Sequence, residues 1–133
     1  IIFMFQKELG EKILGTYSST NYGRLSILSN YKLQFEEKFL VSQNCFFPKP
    51  KVTSMVIHFK PKQNKIYKIN NISNLEKVTN ILFSNKRKMI NKSLRKILNY
   101  KEIQSINGLK LNSRPSELRP EIFYKITELI EKK

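Results

Sequence analysis

The sequence predicts an α/β region followed by an all-helical domain, and three patterns support this prediction. Residues 1–5 form a short, wholly apolar run, which is typical of a strand buried on both faces of a parallel sheet. Residues 52–60 alternate between apolar and polar side chains, as a strand with one buried face does. From Leu75 onward the apolar residues recur at helical spacing. We therefore expect an α/β part at residues 1–62, a polar linker at 63–74 and a helical domain at 75–133.

The α/β part begins with a strand and a helix. No sheet partner for the first strand is obvious downstream. From Gln6 the pattern becomes amphipathic, with Leu9 and Ile13 on the apolar face and an end near Gly15. A strand is expected at residues 33–41, after a second helix whose apolar residues are Leu25, Ile27, Leu28 and Tyr31.

A proline-rich loop joins the last two predicted strands, with the sequence Cys-Phe-Phe-Pro-Lys-Pro-Lys-Val-Thr-Ser from Cys45 to Ser54. Each proline fixes its own φ and favours extended geometry in the residue before it, so this loop is stiff. A ring held on a rigid support beside a cation suits stacking on a nucleic-acid base. The residues alone leave a second interpretation open, in which Phe46 and Phe47 fill a gap in the core below the strand.

The predicted helical domain carries a concentrated positive charge. Residues 86–96 contain six basic side chains and no acidic one, so like charges repel and a polyanionic partner would compensate them. A solvated surface is the alternative. We expect one long helix from about Leu75, capped by Ser73 or Asn74. Its apolar face would contain Phe83, Ile90, Leu94, Ile97 and Leu98, and its basic face Lys88, Lys92, Arg95 and Lys96. Two shorter helices are expected, at about residues 101–106 and from 116 or 120 to 131.

The composition of the chain favours some partners and excludes several kinds of functional site. The net charge is +15, which favours nucleic acid as a partner, although a lysine-rich proteome would also raise it. All ten acidic residues are glutamates, and one cysteine and one histidine provide neither a metal site nor a catalytic triad. The four glycines are isolated, so no phosphate-binding loop is present. The single cysteine fits a reducing cytoplasm.

Four segments, in order, resemble motifs of the ribosomal RNA adenine dimethyltransferases. They are Phe3–Glu8, Tyr22–Ser26, the Phe-x-Pro-x-Pro-Lys-Val-x-Ser signature at Phe46–Ser54, and Lys86–Lys88. The segment Arg114–Leu118 resembles the entry to the last helix of that family. The resemblance runs over nearly the whole chain but covers only the C-terminal half of the family, because the glycine-rich cofactor loop and the Asn-Leu-Pro-Tyr catalytic motif have no counterpart here.

This resemblance implies the C-terminal strands and helices of a Rossmann-like methyltransferase domain dependent on S-adenosylmethionine, followed by a small helical domain. The final strand would be antiparallel, and the proline loop would border the active site. Members of the family transfer methyl groups from S-adenosylmethionine to adenine amines of 16S small-subunit rRNA. The missing N-terminal half would bind the cofactor and supply catalysis, so we expect no catalytic, cofactor-binding or metal-binding residue here and no activity from this chain alone.

The resemblance also assigns roles to individual residues. Phe46 would stack on the target adenine, and alternation along an extended segment would then place Phe47 in the core. The residues expected to contact RNA are Lys51, Lys86, Arg87, Lys88, Lys92, Arg95, Lys96 and Arg114.

The expected partners are small-subunit rRNA and the assembling small ribosomal subunit, with the protein a monomer and no membrane involved. The apolar run at residues 1–5 is too short to span a bilayer and lacks the features of a signal peptide. A non-catalytic nucleic-acid-binding protein, such as a ribosome-assembly factor or a relative acting in mitochondrial transcription, remains the alternative.

Overall fold

The computed structural model describes residues 1–62 and 66–133. The chain divides into two compact units, Ile1–Gln63 and Asn64–Lys133, called here the sheet unit and the helical unit. The start of the predicted linker, residues 63–65, lies outside the described residues.

The sheet unit contains three strands and two helices. In chain order they are β1 (Ile2–Gln6), α1 (Lys7–Ile13), α2 (Arg24–Lys32), β2 (Leu33–Val41) and β3 (Ser54–Pro61). The strand order is β1-β3-β2, so β3 is central and runs antiparallel to both neighbours. The antiparallel final strand is confirmed. In the register, Ile57 lies opposite Phe3 on one side and Lys38 on the other.

β1 is a strand, as predicted, but its surroundings differ from the prediction. Its partner is β3, about fifty residues downstream, and the two pair antiparallel. Ile2 is 69% exposed and Met4 is 56% exposed, so the strand is not buried on both faces. An apolar run predicts a strand but not its partner. Strands pair through backbone N–H and C=O groups, and the side-chain pattern does not show which strand they will meet.

The core of the sheet unit lies on one face of β3, where Met55, Ile57 and Phe59 alternate inward as predicted. The partly buried residues that pack on them are Phe5, Ile13, Leu14 and Leu33.

Helix α1 turns a glycine, rather than a leucine, toward this core. An ideal Cβ on Gly10 would lie 2.7 Å from Met55 Sδ, whereas Leu9 is 41% exposed. The prediction of a buried Leu9 is therefore wrong, because close approach of helix and sheet favours a residue with no side chain. In α2, Ile27 and Tyr31 are buried as predicted, while Leu25 is 41% exposed.

The helical unit contains four α-helices among the described residues: α3 (Ile72–Phe83), α4 (Asn91–Arg95), α5 (Tyr100–Gln104) and α6 (Pro120–Glu131). A 3₁₀ turn at Pro115–Glu117 precedes α6. The rings of Phe83 and Phe123 stack with centroids 5.5 Å apart, joining α3 to α6. Six side chains with at most 1% exposure form the centre of the core: Leu75, Val78, Ile90, Leu94, Phe123 and Ile126.

The single long helix predicted from about Leu75 is wrong. The side chain of Asn71 caps α3 by accepting from the Ser73 N–H at 3.0 Å, so the helix begins earlier, and it ends at Phe83. The Ile90 N–H then donates to Ser113 O at 2.9 Å. Ile90 and Leu94 remain at helical spacing from the apolar residues of α3. The apolar periodicity therefore continues through the segment between α3 and α4, and the sequence pattern does not show that the helix is interrupted there.

The end of the predicted linker is attached to α6. The Lys68 N–H donates to a Glu128 carboxylate oxygen at 3.2 Å. Glu131 accepts from the N–H groups of Asn70 and Asn71 and from Asn74 Nδ2, at 2.8, 3.0 and 2.7 Å. Residues 68–74 therefore belong to the helical unit.

Candidate nucleic-acid interface

The proline loop leaves the sheet at the carboxyl ends of two strands. Since β1 and β2 are both antiparallel to β3, they run parallel to each other, and their last residues, Gln6 and Val41, both lie opposite Ser54. The Lys7 N–H at the start of α1 donates to Thr53 O at 2.9 Å and ties the end of the loop to this edge. Ligands of α/β sheets bind outside the carboxyl ends of parallel strands, so the loop lies where such a site is expected.

Hydrogen bonds hold the loop across its base. A 3₁₀ turn at Gln43–Cys45 opens it, with Ser42 Oγ accepting from the Asn44 N–H at 3.2 Å. The amide of Gln43, oriented by its hydrogen-bond partners, donates through its nitrogen to the carbonyl oxygens of Pro50 and Lys51 at 3.2 and 3.1 Å. Sequence reasoning missed Gln43, because a glutamine before a turn carries no signal of a bond to a segment seven residues away.

Of the two phenylalanines in the loop, Phe47 does not lie where it was predicted. Phe47 is fully exposed, at 101%, and Phe46 is half-buried. The expectation that Phe47 lies in the core is wrong for this chain. Alternation requires only that the two neighbouring side chains point in opposite directions. Which of the two faces the core depends on the turn that precedes Phe46. The stacking role of Phe46 stays a prediction, with Lys49 and Lys51 exposed in the same loop.

The basic residues at 86–96 are all exposed, although they do not share one helix. Three lie in the loop between α3 and α4, and three lie on α4 or directly after it: Lys86, Arg87, Lys88, Lys92, Arg95 and Lys96. Between them, Ile90 and Leu94 are buried as predicted, whereas Met89 is 50% exposed. Within residues 1–62 and 66–133, none of these six forms an ion pair.

Arg114 is exposed at the entry to α6. Its backbone N–H donates to a Glu117 carboxylate oxygen at 2.9 Å, and the following Pro115 is buried. The backbone at Arg114 is therefore fixed while its side chain lies at the surface. Its contact with RNA stays a prediction.

Among the described residues, no strand leads into a glycine-rich turn of the kind that holds a cofactor. β1 passes directly into α1 at Gln6–Lys7 without a glycine-rich turn. Gly10 and Gly15 are both buried, with an ideal Cβ on either meeting other atoms of the fold, so neither is an open cradle for a ligand. Across the described part of the chain, no group of three or more His, Cys, Asp or Glu side chains could hold a metal ion. In the same residues, no helix is long and apolar enough to cross a membrane.

A family model described as ribosomal RNA adenine dimethylase matches residues 1–132. The chain belongs to the ribosomal RNA adenine dimethylase family. A relative from Pelagibacter ubique, ribosomal RNA small subunit methyltransferase A, is 39% identical over 98% of this chain and 50% of its own length. The protein of the same name from Buchnera aphidicola is 34% identical over 98% of this chain and 48% of its own length. The chain thus spans about half the length of these relatives.

Solved structures confirm the predicted methyltransferase fold. A dimethyladenosine transferase from Plasmodium falciparum matches 98% of this chain and 56% of its own, with a TM-score of 0.74 and 25% identity. The 23S rRNA methyltransferase ErmE matches with a TM-score of 0.62 and 20% identity, covering 98% of this chain and 54% of its own, which supports the fold alone.

Proposed function

We propose that this chain is the base-presenting and RNA-contacting part of an enzyme that transfers methyl groups from S-adenosylmethionine to the exocyclic amines of adjacent adenines in 16S small-subunit rRNA. The observation that carries this proposal is the family match over residues 1–132. The names of the two relatives described above support a small-subunit rRNA substrate. The assembling small ribosomal subunit would be the partner, and the protein would act as a cytoplasmic monomer.

Residues outside this chain would bind S-adenosylmethionine and perform the chemistry. Among the described residues no strand leads into a glycine-rich turn, and the relatives are about twice as long as this chain. We therefore expect the 133-residue chain alone to be inactive and not to bind the cofactor. Calorimetric titration tests this expectation, and saturable binding at micromolar concentration would contradict it.

The proline loop would receive the target base. An adenine must leave its stack before its amine can react, and this costs a few kcal/mol that stacking and hydrogen bonds in the pocket offset. Phe46 is half-buried at the carboxyl edge of the sheet, so part of its surface is accessible to a base. Lys51 is exposed on the same loop and would bind a neighbouring phosphate.

The exposed basic residues would hold the rRNA backbone. Each phosphate contact releases counterion and adds about 0.7 to 0.9 to the slope of log affinity against log salt. Replacing Lys88, Lys92 and Arg95 together by Gln should flatten that slope by roughly two to three units in a titration of this chain with a structured small-subunit rRNA fragment.

A matched control removes the same charge from a different place. Lys7, Lys12 and Lys60 each lie 3.6–3.8 Å from a glutamate carboxylate, so they are already paired with an anion. Replacing all three by Gln removes three positive charges, as the first variant does. We expect it to change the slope much less. If both triple variants change the slope equally, only the net charge of the chain matters. If replacing Lys88, Lys92 and Arg95 leaves the slope unchanged, residues 86–96 are a solvated surface.

Methylation by the full-length protein tests the role of the loop. Phe46→Ala should remove about 1 to 3 kcal/mol of stacking, a roughly 5- to 150-fold loss of single-turnover rate, with little change in melting temperature. Phe47→Ala is the matched control. Loss of rate only in Phe47→Ala would exchange the two roles, and full rate in both would exclude stacking by this loop. A full-length protein that binds rRNA without methylating it would instead be a non-catalytic binding protein.

A further inference from the structure

A groove of about 820 Å³ lies beside α5 in the helical unit. Its floor is apolar, with Leu98, Ile103 and Ile106 each less than 10% exposed. Arg95, Tyr100 and Gln104 also line it. None of its described lining residues is acidic. The groove therefore combines an apolar floor with a cationic and aromatic margin.

Tyr100 is an exposed aromatic residue on a capped helix start. Its side chain is 72% exposed, and Gln104 Nε2 donates to its hydroxyl one helical turn away. A reciprocal cap fixes the start of α5, since Asn99 Oδ1 accepts from the Glu102 N–H and Glu102 Oε1 accepts from the Asn99 N–H, each at 2.9 Å. The backbone that carries the ring is therefore held in place, and a tyrosine has only two side-chain torsions to order when a flat partner stacks on it.

Charge around the groove favours an anionic ligand. Arg95 lines it, and Lys92 and Lys96 are exposed close by in sequence. Glu102, the acidic residue of α5, is engaged elsewhere, with its carboxylate 3.0 Å from Lys133 Nζ. The bond from the Asn99 N–H, together with Lys133, outweighs the opposing effect of burial and lowers the pKa of Glu102, so it stays ionised and paired. A basic peptide would meet only positive charge at this margin.

We propose that this groove binds one unpaired nucleotide of the RNA, with its base stacked on Tyr100 and its phosphate on Arg95. The inference rests on the proposed function, because it assumes that the chain binds RNA. It adds a base-binding subsite in the helical unit, distinct from the proline loop. Stacking alone would make the subsite tolerant of base identity, since every base has a flat aromatic face.

The experiment compares two RNAs with the full 133-residue chain. One is a hairpin with unpaired loop nucleotides, one of them 2-aminopurine, and the other is the same stem as a blunt-ended duplex. Tyr100→Ala should weaken hairpin binding by roughly 5- to 150-fold, leave duplex binding unchanged, and abolish the quenching of 2-aminopurine fluorescence. The salt slope should stay constant, because tyrosine carries no charge.

Two further variants serve as controls. Tyr100→Phe keeps the stacking ring and should bind the hairpin as the parent does. Ile66→Ala removes an 81%-exposed side chain that does not line the groove, and should change neither affinity. Circular dichroism of each variant checks that the fold is retained.

The outcomes separate the two proposals. If the parent chain binds both RNAs with a steep salt slope but Tyr100→Ala matches it on the hairpin, the subsite is wrong and the proposed function stands; a groove that takes a peptide gives this result. Equal weakening on hairpin and duplex also overturns the subsite. If the parent binds neither RNA, the subsite and RNA binding by this chain both fail.

Discussion

The helical unit buries most of its large apolar side chains, whereas the sheet unit leaves many at its surface. Thirteen buried hydrophobic residues belong to described parts of the helical unit and six to those of the sheet unit. Exposed large hydrophobic residues show the reverse, with three in the helical unit and eleven in the sheet unit. Apolar content alone therefore does not determine burial.

The difference follows from geometry. This sheet has apolar side chains on both of its faces, while each helix of a bundle turns one side to a shared core. In the sheet unit, Met55, Ile57 and Phe59 occupy the covered face. On the opposite face, Met4 and Phe39 flank Val56 in register and are 56% and 57% exposed. The helical unit closes on its own core, and the sheet unit is covered on one side.

A matched pair of substitutions gives the largest expected effect. Phe123 is fully buried against Phe83, so Phe123→Ala should lower the free energy of unfolding by about 3 to 5 kcal/mol. Phe47→Ala removes an equally large but fully exposed ring and should change it by less than about 0.5 kcal/mol. Urea denaturation followed by circular dichroism measures both. Equal losses would contradict the contrast between core and surface rings.

Gly15 is a buried glycine packed against the backbone of Asn21 and Tyr22. An ideal Cβ on Gly15 would lie 2.5 Å from the carbonyl carbon of Asn21 and 2.9 Å from Tyr22 N, so backbone would have to move. Gly15→Ala should cost about 1 to 3 kcal/mol in the same assay. Gly23→Ala is the matched control, because nothing lies within 4 Å of its Cβ position and its φ of −179° suits any residue. A larger loss in Gly23→Ala would show that the sheet unit is not constrained at Gly15.

Stability of the helical unit should depend on pH through Glu131. Partial burial would raise the pKa of this carboxyl, but hydrogen bonds from Asn74, Asn70 and Asn71 outweigh that effect and lower it below the ordinary 4.5. Because the folded pKa is lowered, the stabilisation is present above about pH 4.5 and is lost as the pH falls through the folded value. Glu131→Gln should therefore cost about 1 kcal/mol at neutral pH.

The pH series supplies the check for Glu131. The difference in unfolding free energy between the parent and Glu131→Gln should shrink as the solution is acidified. Glu121, exposed on the same helix, provides the control variant Glu121→Gln. A difference that stays constant from neutral to acid pH would exclude a role for the ionised carboxylate.

The smallest effect is expected on the open face of the sheet. Phe39→Thr keeps a good strand former and removes an exposed ring, so unfolding free energy should change by less than about 0.5 kcal/mol. Binding of an apolar fluorescent dye should fall, because the exposed apolar surface becomes smaller. A large loss of stability would show that this face packs within the chain.

The side-chain patterns predicted which strands and helices form more accurately than they predicted what those elements pack against. The alternation at residues 52–60 predicted β3, and the helical spacing of apolar residues beyond Leu75 predicted α6, because buried positions recur with the period of the strand or helix. The contact of Gly10 with Met55 carried no such signal, since it consists of a missing side chain.

The candidate site was predictable to a similar degree. The motif at Phe46–Ser54 located the loop, and charge located the exposed run at residues 86–96. The directions of Phe46 and Phe47 depend on the turn before them. Tyr100 could be recognised as a candidate only from the structure, which shows the groove beside α5. Such features arise from tertiary contacts that one-dimensional periodicity does not encode.

The attachment of α3 to α6 bears on how the chain folds during synthesis. Glu131 binds the backbone of Asn70 and Asn71, sixty residues earlier, and Phe123 stacks on Phe83. The first and last helices of the helical unit therefore complete each other, and contacts of such long sequence separation form slowly because a large loop must close. While a ribosome is still making residues 120–131, the apolar side of α3 lacks its contact with α6, so the unit reaches its native packing only after the last helix has emerged.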